Sequence, residues 1–172
     1  MNLPNKLTIF RIILVPVFVV VMLSNLKNSL FISAGIFALA SITDFLDGYI
    51  ARKYNLISDF GKFMDPLADK ILVASALITM VELNLIPSWM VIIIISREFA
   101  VSILRAIASS NGIVIAASKW GKAKTISQIF AIMMILLKIP YSNIVLWIAV
   151  FLTIFSGYDY IYLNRNLFKN MD

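Results

Sequence analysis

Apolar residues fill six long stretches of the chain, separated by short polar breaks. A helix needs about 20 mostly apolar residues to cross the roughly 30 Å hydrocarbon layer of a bilayer. The runs therefore predict an all-α integral membrane protein with six transmembrane helices. These cover Leu7–Leu23, Leu30–Ile50, Phe63–Leu83, Ile86–Ala108, Ala123–Leu137 and Ile144–Leu163. Pro87 is expected in the first turn of the fourth helix, where its missing N–H costs nothing, and Pro140 marks the stop after the fifth. Pro16 falls inside the first run, where a kink is expected. No repeat or low-complexity segment interrupts the runs, and the loops are too short for a soluble domain. Residues 1–172 are thus expected to form a single transmembrane domain, with the first run retained rather than cleaved as a leader.

With six spans, both termini share one side of the membrane. Thirteen of the fifteen Lys and Arg residues fall on that side, against Lys27 and Lys138 on the other. Cytoplasmic loops carry the excess of basic residues, so both termini are expected in the cytoplasm. Arg97 could lie near mid-membrane, and removing it from the count leaves the asymmetry intact. Trp89, Trp120, Tyr141 and Tyr158 stand near span ends, as interfacial anchors do.

Composition agrees. The chain is 61% hydrophobic and only 14% charged, against about 25% charged in soluble domains. A net charge of +6 could signal nucleic acid, but in a membrane chain it reflects basic loops facing anionic lipid. The chain has no cysteine and no histidine. Disulfides and imidazole ligands are excluded, and any general base must come from Asp, Glu, Lys or Tyr.

Against that apolar background, four of the nine acidic residues stand in two pairs at helical spacing within one short frame: Asp44, Asp47, Asp65 and Asp69. Spacing i,i+3 puts the first two on one face of a helix, and i,i+4 does the same for the second pair. Side by side, the second and third helices would aim four carboxylates at one spot. Such a cluster is costly in a membrane segment unless cations occupy it, and all-carboxylate ligation suits Mg²⁺ or Mn²⁺. The functional reading is a two-metal site at the cytoplasmic ends of these helices, polarising a phosphoryl displacement. The plainer reading pairs each Asp with a nearby cation, or sets Asp65 and Asp69 in the first turn of helix three, where the macrodipole favours anions. Gly48 and Ala51 would let a flat group approach the helix, or simply help helices pack. Arg52 can fork onto a phosphate. Gly61 is expected in the turn before helix three, and Ser58 is either a ligand or an ordinary loop serine.

The frame Asp44-x-x-Asp47-Gly48-x-x-Ala51-Arg52, then eight residues, then Gly61-x-x-x-Asp65-x-x-x-Asp69 resembles the signature of the CDP-alcohol phosphotransferases, and matches it at every defining position. The resemblance implies transfer of a substituted phosphoryl group from a CDP-linked donor to an alcohol, with release of CMP. It implies that the four aspartates hold two divalent cations and that Asp69 also takes the acceptor's proton. Gly48, Ala51, Arg52, Ser58 and Gly61 then belong to the CDP-donor site. The chemistry is compatible, since no Ser–His or Cys–His pair exists to carry a covalent intermediate.

The remaining polar residues must choose the acceptor. Arg97 and Arg105 are eight apart and share a helix face, and Lys119, Lys122 and Lys124 follow in the next loop. Together they suit a phosphorylated acceptor. Their plainer readings are snorkelling topology signals for the lysines, and for the arginines an ion pair with Glu98 or the aspartates. The segments Asn2–Arg11, Arg97–Arg105 and Ala117–Thr125 are similar to bacterial members of the family that use CDP-diacylglycerol and sn-glycerol 3-phosphate. That similarity implies that Thr8 and Arg11 also line the donor site, that the enzyme is a homodimer, and that it resides in the cell membrane with its site facing the cytoplasm. Two other readings stay open. One is the same chemistry on inositol phosphate, serine or phosphatidylglycerol. The other is a divalent-cation transporter, which would place its carboxylates near mid-bilayer in an internal repeat.

Overall fold

The computed structural model describes residues 3–54, 59–110, 115 and 118–165. Among them are six α-helices: α1 Leu3–Leu23, α2 Ser29–Lys53, α3 Asp59–Glu82, α4 Ser88–Ser110, α5 Lys119–Leu136 and α6 Ser142–Leu163. Each coincides with one of the apolar runs. Three are long and apolar enough to cross a membrane: Leu3–Leu23, Ser29–Ala51 and Ser142–Leu163. The charged residues from which the candidate sites are built lie on both kinds of helix, with Arg11, Asp44 and Asp47 on two of the apolar ones.

Helix ends differ from the apolar runs for local reasons. The α5 helix starts four residues before the run predicts, because the Ser118 hydroxyl caps it, accepting the Gly121 N–H at 3.0 Å. Pro87 stands just before α4 rather than in its first turn. The α3 and α5 helices both close on a residue in the left-handed region, Asn84 at φ 56° and Lys138 at φ 54°. Behind them Leu85 N–H reaches the Met80 carbonyl and Ile139 N–H the Met134 carbonyl, both at 2.9 Å. These bonds satisfy carbonyls that a helix end leaves orphaned. The α1 helix continues through Pro16, which is exposed.

Two compact units result. The first holds α1, α2 and α3 together with Met133–Ile139. Here α1 packs on both α2 and α3. Its buried stripe is Pro4, Asn5, Thr8, Arg11, Val15, Phe18 and Met22, recurring every three or four residues. Phe18 meets Phe37 of α2 with ring centroids 6.0 Å apart, and Leu72, Ala76 and Met80 of α3 complete the core. Polar Thr8 and Arg11 thus sit on the same inward face as the apolar residues.

The second unit holds α4, α5 as far as Ile132, and α6. The α4 helix packs on α6. Met90, Ile94, Val101 and Ala108 form the buried stripe of α4, and Arg97 and Arg105 fall in register with it. Small residues on α6, including Ala149, Ser156 and Gly157, are buried opposite. Trp89 and Trp147 meet at 5.3 Å, and Trp120 meets Phe155 edge to face at 4.9 Å.

Candidate active site

In the first unit, α2 and α3 enclose an open cavity of about 370 Å³ lined by Asp44, Phe45, Asp47, Gly48, Asp65, Pro66 and Asp69. All four aspartates of the sequence frame therefore border one space. Spacing explains the pairs, and the common packing of α2 and α3 against α1 explains why the pairs face each other.

The α1 helix supplies the partners. The Arg11 side chain is wholly buried. Its Nη1 lies 2.6 Å from Asp44 Oδ1, its Nη2 pairs with Asp47 Oδ2, and its Nε donates to the Ala40 carbonyl at 3.3 Å. The Thr8 hydroxyl reaches Asp65 Oδ1 at 2.5 Å and the Pro4 carbonyl at 3.1 Å, two acceptors for its single proton. A buried guanidinium costs several kcal/mol unless paired, and here two carboxylates and a carbonyl offset that cost. Arg11 and Thr8 are expected at the donor site from sequence. Neither is among the residues lining the cavity, and both hold the aspartates from behind.

The donor chemistry of the cavity fits a hard divalent cation, since its charged lining is carboxylate oxygen throughout. The expectation that four carboxylates point at one spot needs refinement. Among the described residues no group of three acidic side chains stands ready to hold an ion. The physical reason is visible: Arg11 spans Asp44 and Asp47, and Thr8 holds Asp65. The macrodipole reading for Asp65 and Asp69 also falls away. The α3 helix begins at Asp59, which puts both beyond the first turn, where the effect has died out.

Of the other expected donor residues, Gly48 lines the cavity, Ala51 is half-buried a turn further along α2, and Gly61 is buried inside α3 rather than in a turn. The side chain of Arg52 and the whole of Ser58 lie outside the described residues.

The second unit gathers the cations of α4. Arg97 Nη1 donates to Glu98 Oε1 at a long 3.4 Å, and the same oxygen pairs with the buried Lys124 of α5. Arg97 is seated against Gly157, where an added Cβ would stand 3.2 Å from Arg97 Cγ. The Arg105 guanidinium lies 5.6 Å from the centre of the Tyr160 ring. Three buried polar atoms here find no hydrogen-bond partner among the described residues: Arg97 Nε, Arg105 Nε and the Tyr160 hydroxyl. Such groups ordinarily find one. Below them, Gln128 Nε2 donates to Thr153 Oγ1 at 3.0 Å. Lys119 and Lys122 are exposed.

The ion pair of Arg97 with Glu98, one of the plainer readings from sequence, is present, while Tyr160 and Gly157 are not expected from sequence in this cluster. The heptad-like register of α4 could have found its inward face. The pairing of Glu98 with Lys124, 26 positions away, is set by packing and leaves no local signal.

Comparison with known proteins gives a consistent answer. The CDP-diacylglycerol–glycerol-3-phosphate 3-phosphatidyltransferase of Bacillus subtilis (strain 168) is 45% identical, over 98% of this chain and 97% of that protein. Proteins of the same name from Rickettsia bellii and Haemophilus influenzae are 43% and 42% identical. The former alignment covers 92% of this chain and 93% of that protein, the latter 93% and 91%. The family model for CDP-alcohol phosphatidyltransferases matches residues 1–155. With the aspartate frame intact and bordering a single cavity, the chain belongs to the CDP-alcohol phosphatidyltransferase family.

Proposed function

We propose that this protein transfers the phosphatidyl group of CDP-diacylglycerol to sn-glycerol 3-phosphate, forming phosphatidylglycerophosphate and releasing CMP. The observation that carries the reading is the single cavity bordered by Asp44, Asp47, Asp65 and Asp69, supported by the names and near-full coverage of the relatives.

The acceptor hydroxyl oxygen forms the new bond to the phosphatidyl phosphorus. The bond from that phosphorus to the CMP oxygen breaks, and Asp69 takes the hydroxyl proton. Asp44, Asp47, Asp65 and Asp69 would hold two divalent cations, Mg²⁺ or Mn²⁺. When bound, these neutralise the diphosphate and stabilise the departing CMP. Gly48 leaves room for the nucleotide beside α2, and Arg52 and Ser58 contact the CDP portion. With no histidine or cysteine in the chain, no Ser–His or Cys–His pair is available to carry a covalent intermediate, and direct displacement is the simpler mechanism.

For the acceptor, the unfilled donors of Arg97, Arg105 and Tyr160 favour a phosphate monoester over a neutral alcohol. A dianion can accept from several of them at once. Lys124 supports this group through Glu98, while Lys119 and Lys122 draw anions to the surface.

The whole chain acts as one catalytic domain with six membrane crossings. The basic bias puts both termini and the acidic cavity on the cytoplasmic side. The family resemblance favours a homodimer in the cell membrane, which native mass measurement in lipid discs would test. The function itself is tested with purified protein, CDP-diacylglycerol and sn-glycerol 3-phosphate. Stoichiometric CMP and a lipid with the mass of phosphatidylglycerophosphate support the reading, and full activity in excess chelator counts against the metal assignment.

A further inference from the structure

We infer that Arg11 is a built-in counter-ion of the acidic cavity. It is a positioning residue that supplies the cluster's positive charge until a divalent cation replaces its contact with Asp44. The inference rests on the cavity being a divalent-cation site.

Burial comes first. Arg11 is 0% exposed, and its guanidinium spans two carboxylates one helical turn apart. A charge in this position stabilises the unit only while it stays paired. Its two arms are not equivalent. Nη2 makes a formed hydrogen bond to Asp47, whose side chain is 2% exposed. Nη1 approaches Asp44 to 2.6 Å without hydrogen-bond geometry, and Asp44 is 39% exposed on the cavity side. The Asp44 arm is thus the weaker contact and the one an incoming ion can reach. Meanwhile the Nε bond to the Ala40 carbonyl and the Asp47 bond anchor the rest of the guanidinium. Thr8 holds Asp65 in the same manner from one turn earlier on α1. So α1 pins one carboxylate of each pair and leaves Asp44 free to exchange a guanidinium for a metal. Arg11 and the cation then compete for the same oxygen, and each weakens the other's hold on it.

The test uses the full-length protein in lipid discs, titrated with Mn²⁺ alone and read by electron paramagnetic resonance. Arg11→Met should lower the Mn²⁺ Kd roughly tenfold, a coupling of ordinary size between competing ligands. The metal-free variant should also melt lower than wild type, with the gap closing when Mn²⁺ is saturating. Arg11→Lys, which keeps a charge but cannot fork across both carboxylates, should fall between the two. Equal or weaker Mn²⁺ binding in Arg11→Met overturns the proposal. If that variant does not fold, the wild type still decides. The guanidinium ¹⁵N resonances lost in Arg11→Lys identify Arg11, and they must shift when Mg²⁺ is added. Resonances unmoved by saturating Mg²⁺ overturn the proposal equally. Wild-type protein that binds no Mn²⁺ would instead remove the cation-site reading itself, a result distinct from wild-type binding that Arg11→Met leaves unchanged.

Discussion

Replacing Gly157 with alanine separates the seating of Arg97 from the stability of the helix that seats it. The new Cβ would lie 3.2 Å from Arg97 Cγ and 3.7 Å from Nε. The first distance is a few tenths of an ångström too short, so the arginine stem must move away from α6. Arg97 has little to hold it, since its bond to Glu98 is already 3.4 Å long. A hydrogen bond between charged groups contributes about 1.5–3 kcal/mol. Loss of even the lower figure, through a displaced guanidinium, corresponds to roughly tenfold in acceptor affinity. Helix propensity acts in the opposite direction, because alanine in a helix interior is about 1 kcal/mol better than glycine. The variant is therefore expected to fold with a melting temperature close to wild type, while the KM for sn-glycerol 3-phosphate rises about tenfold. The KM for CDP-diacylglycerol should change by less than about twofold, as for an interaction that is not touched. Steady-state kinetics with each substrate varied in turn, beside a thermal melt, reads all three. An unchanged acceptor KM would refute the argument and reduce Gly157 to a packing residue.

Three further outcomes follow from the same geometry. Asp69→Asn keeps the shape but removes the proposed base, so turnover should fall at least about a hundredfold while equilibrium binding of the CDP donor persists; near-normal turnover would remove Asp69 as base. Arg105→Met should raise the acceptor KM roughly tenfold with little effect on the donor KM, and equal effects on both would place Arg105 elsewhere. Thr8→Val deletes the hydroxyl that holds Asp65 at 2.5 Å. It should cost about 1.5–3 kcal/mol in the folding of the first unit, as for a hydrogen bond to a charged group, seen as a lower melting temperature in metal-free buffer.

The aspartate frame was legible because it is local. Two pairs at helical spacing, in a chain with few charges, stand out against an apolar background, and neighbouring helices in a small membrane protein pack together. The six helices were legible for the same reason. Residue spacing alone does not supply the third helix of the site, which only the family resemblance implies through Thr8 and Arg11. Arg11 and Asp47 are 36 residues apart, and nothing in the first apolar run says that its one arginine points inward rather than snorkelling out. The start of α3 escapes the apolar pattern because Asp59–Lys62 are too polar to extend an apolar run, yet they continue the helix back to Asp59. The basic cluster was half visible. Arg97 and Arg105 follow from spacing, but sequence proximity alone groups Lys124 with Lys119 and Lys122. Burial separates them, since Lys124 turns inward to Glu98 while the other two stay exposed.

The proposed reaction draws on two features, the acidic cavity of the first unit and the arginines of the second. The direct measurement is CMP release from CDP-diacylglycerol by the purified protein in a bilayer, with Mg²⁺ present and one alcohol at a time: sn-glycerol 3-phosphate, glycerol, inositol phosphate, serine or phosphatidylglycerol. The expected result is rapid release with sn-glycerol 3-phosphate, and none with it once Mg²⁺ is chelated. Release that is as fast with glycerol or serine, or that persists without a divalent cation, would contradict it.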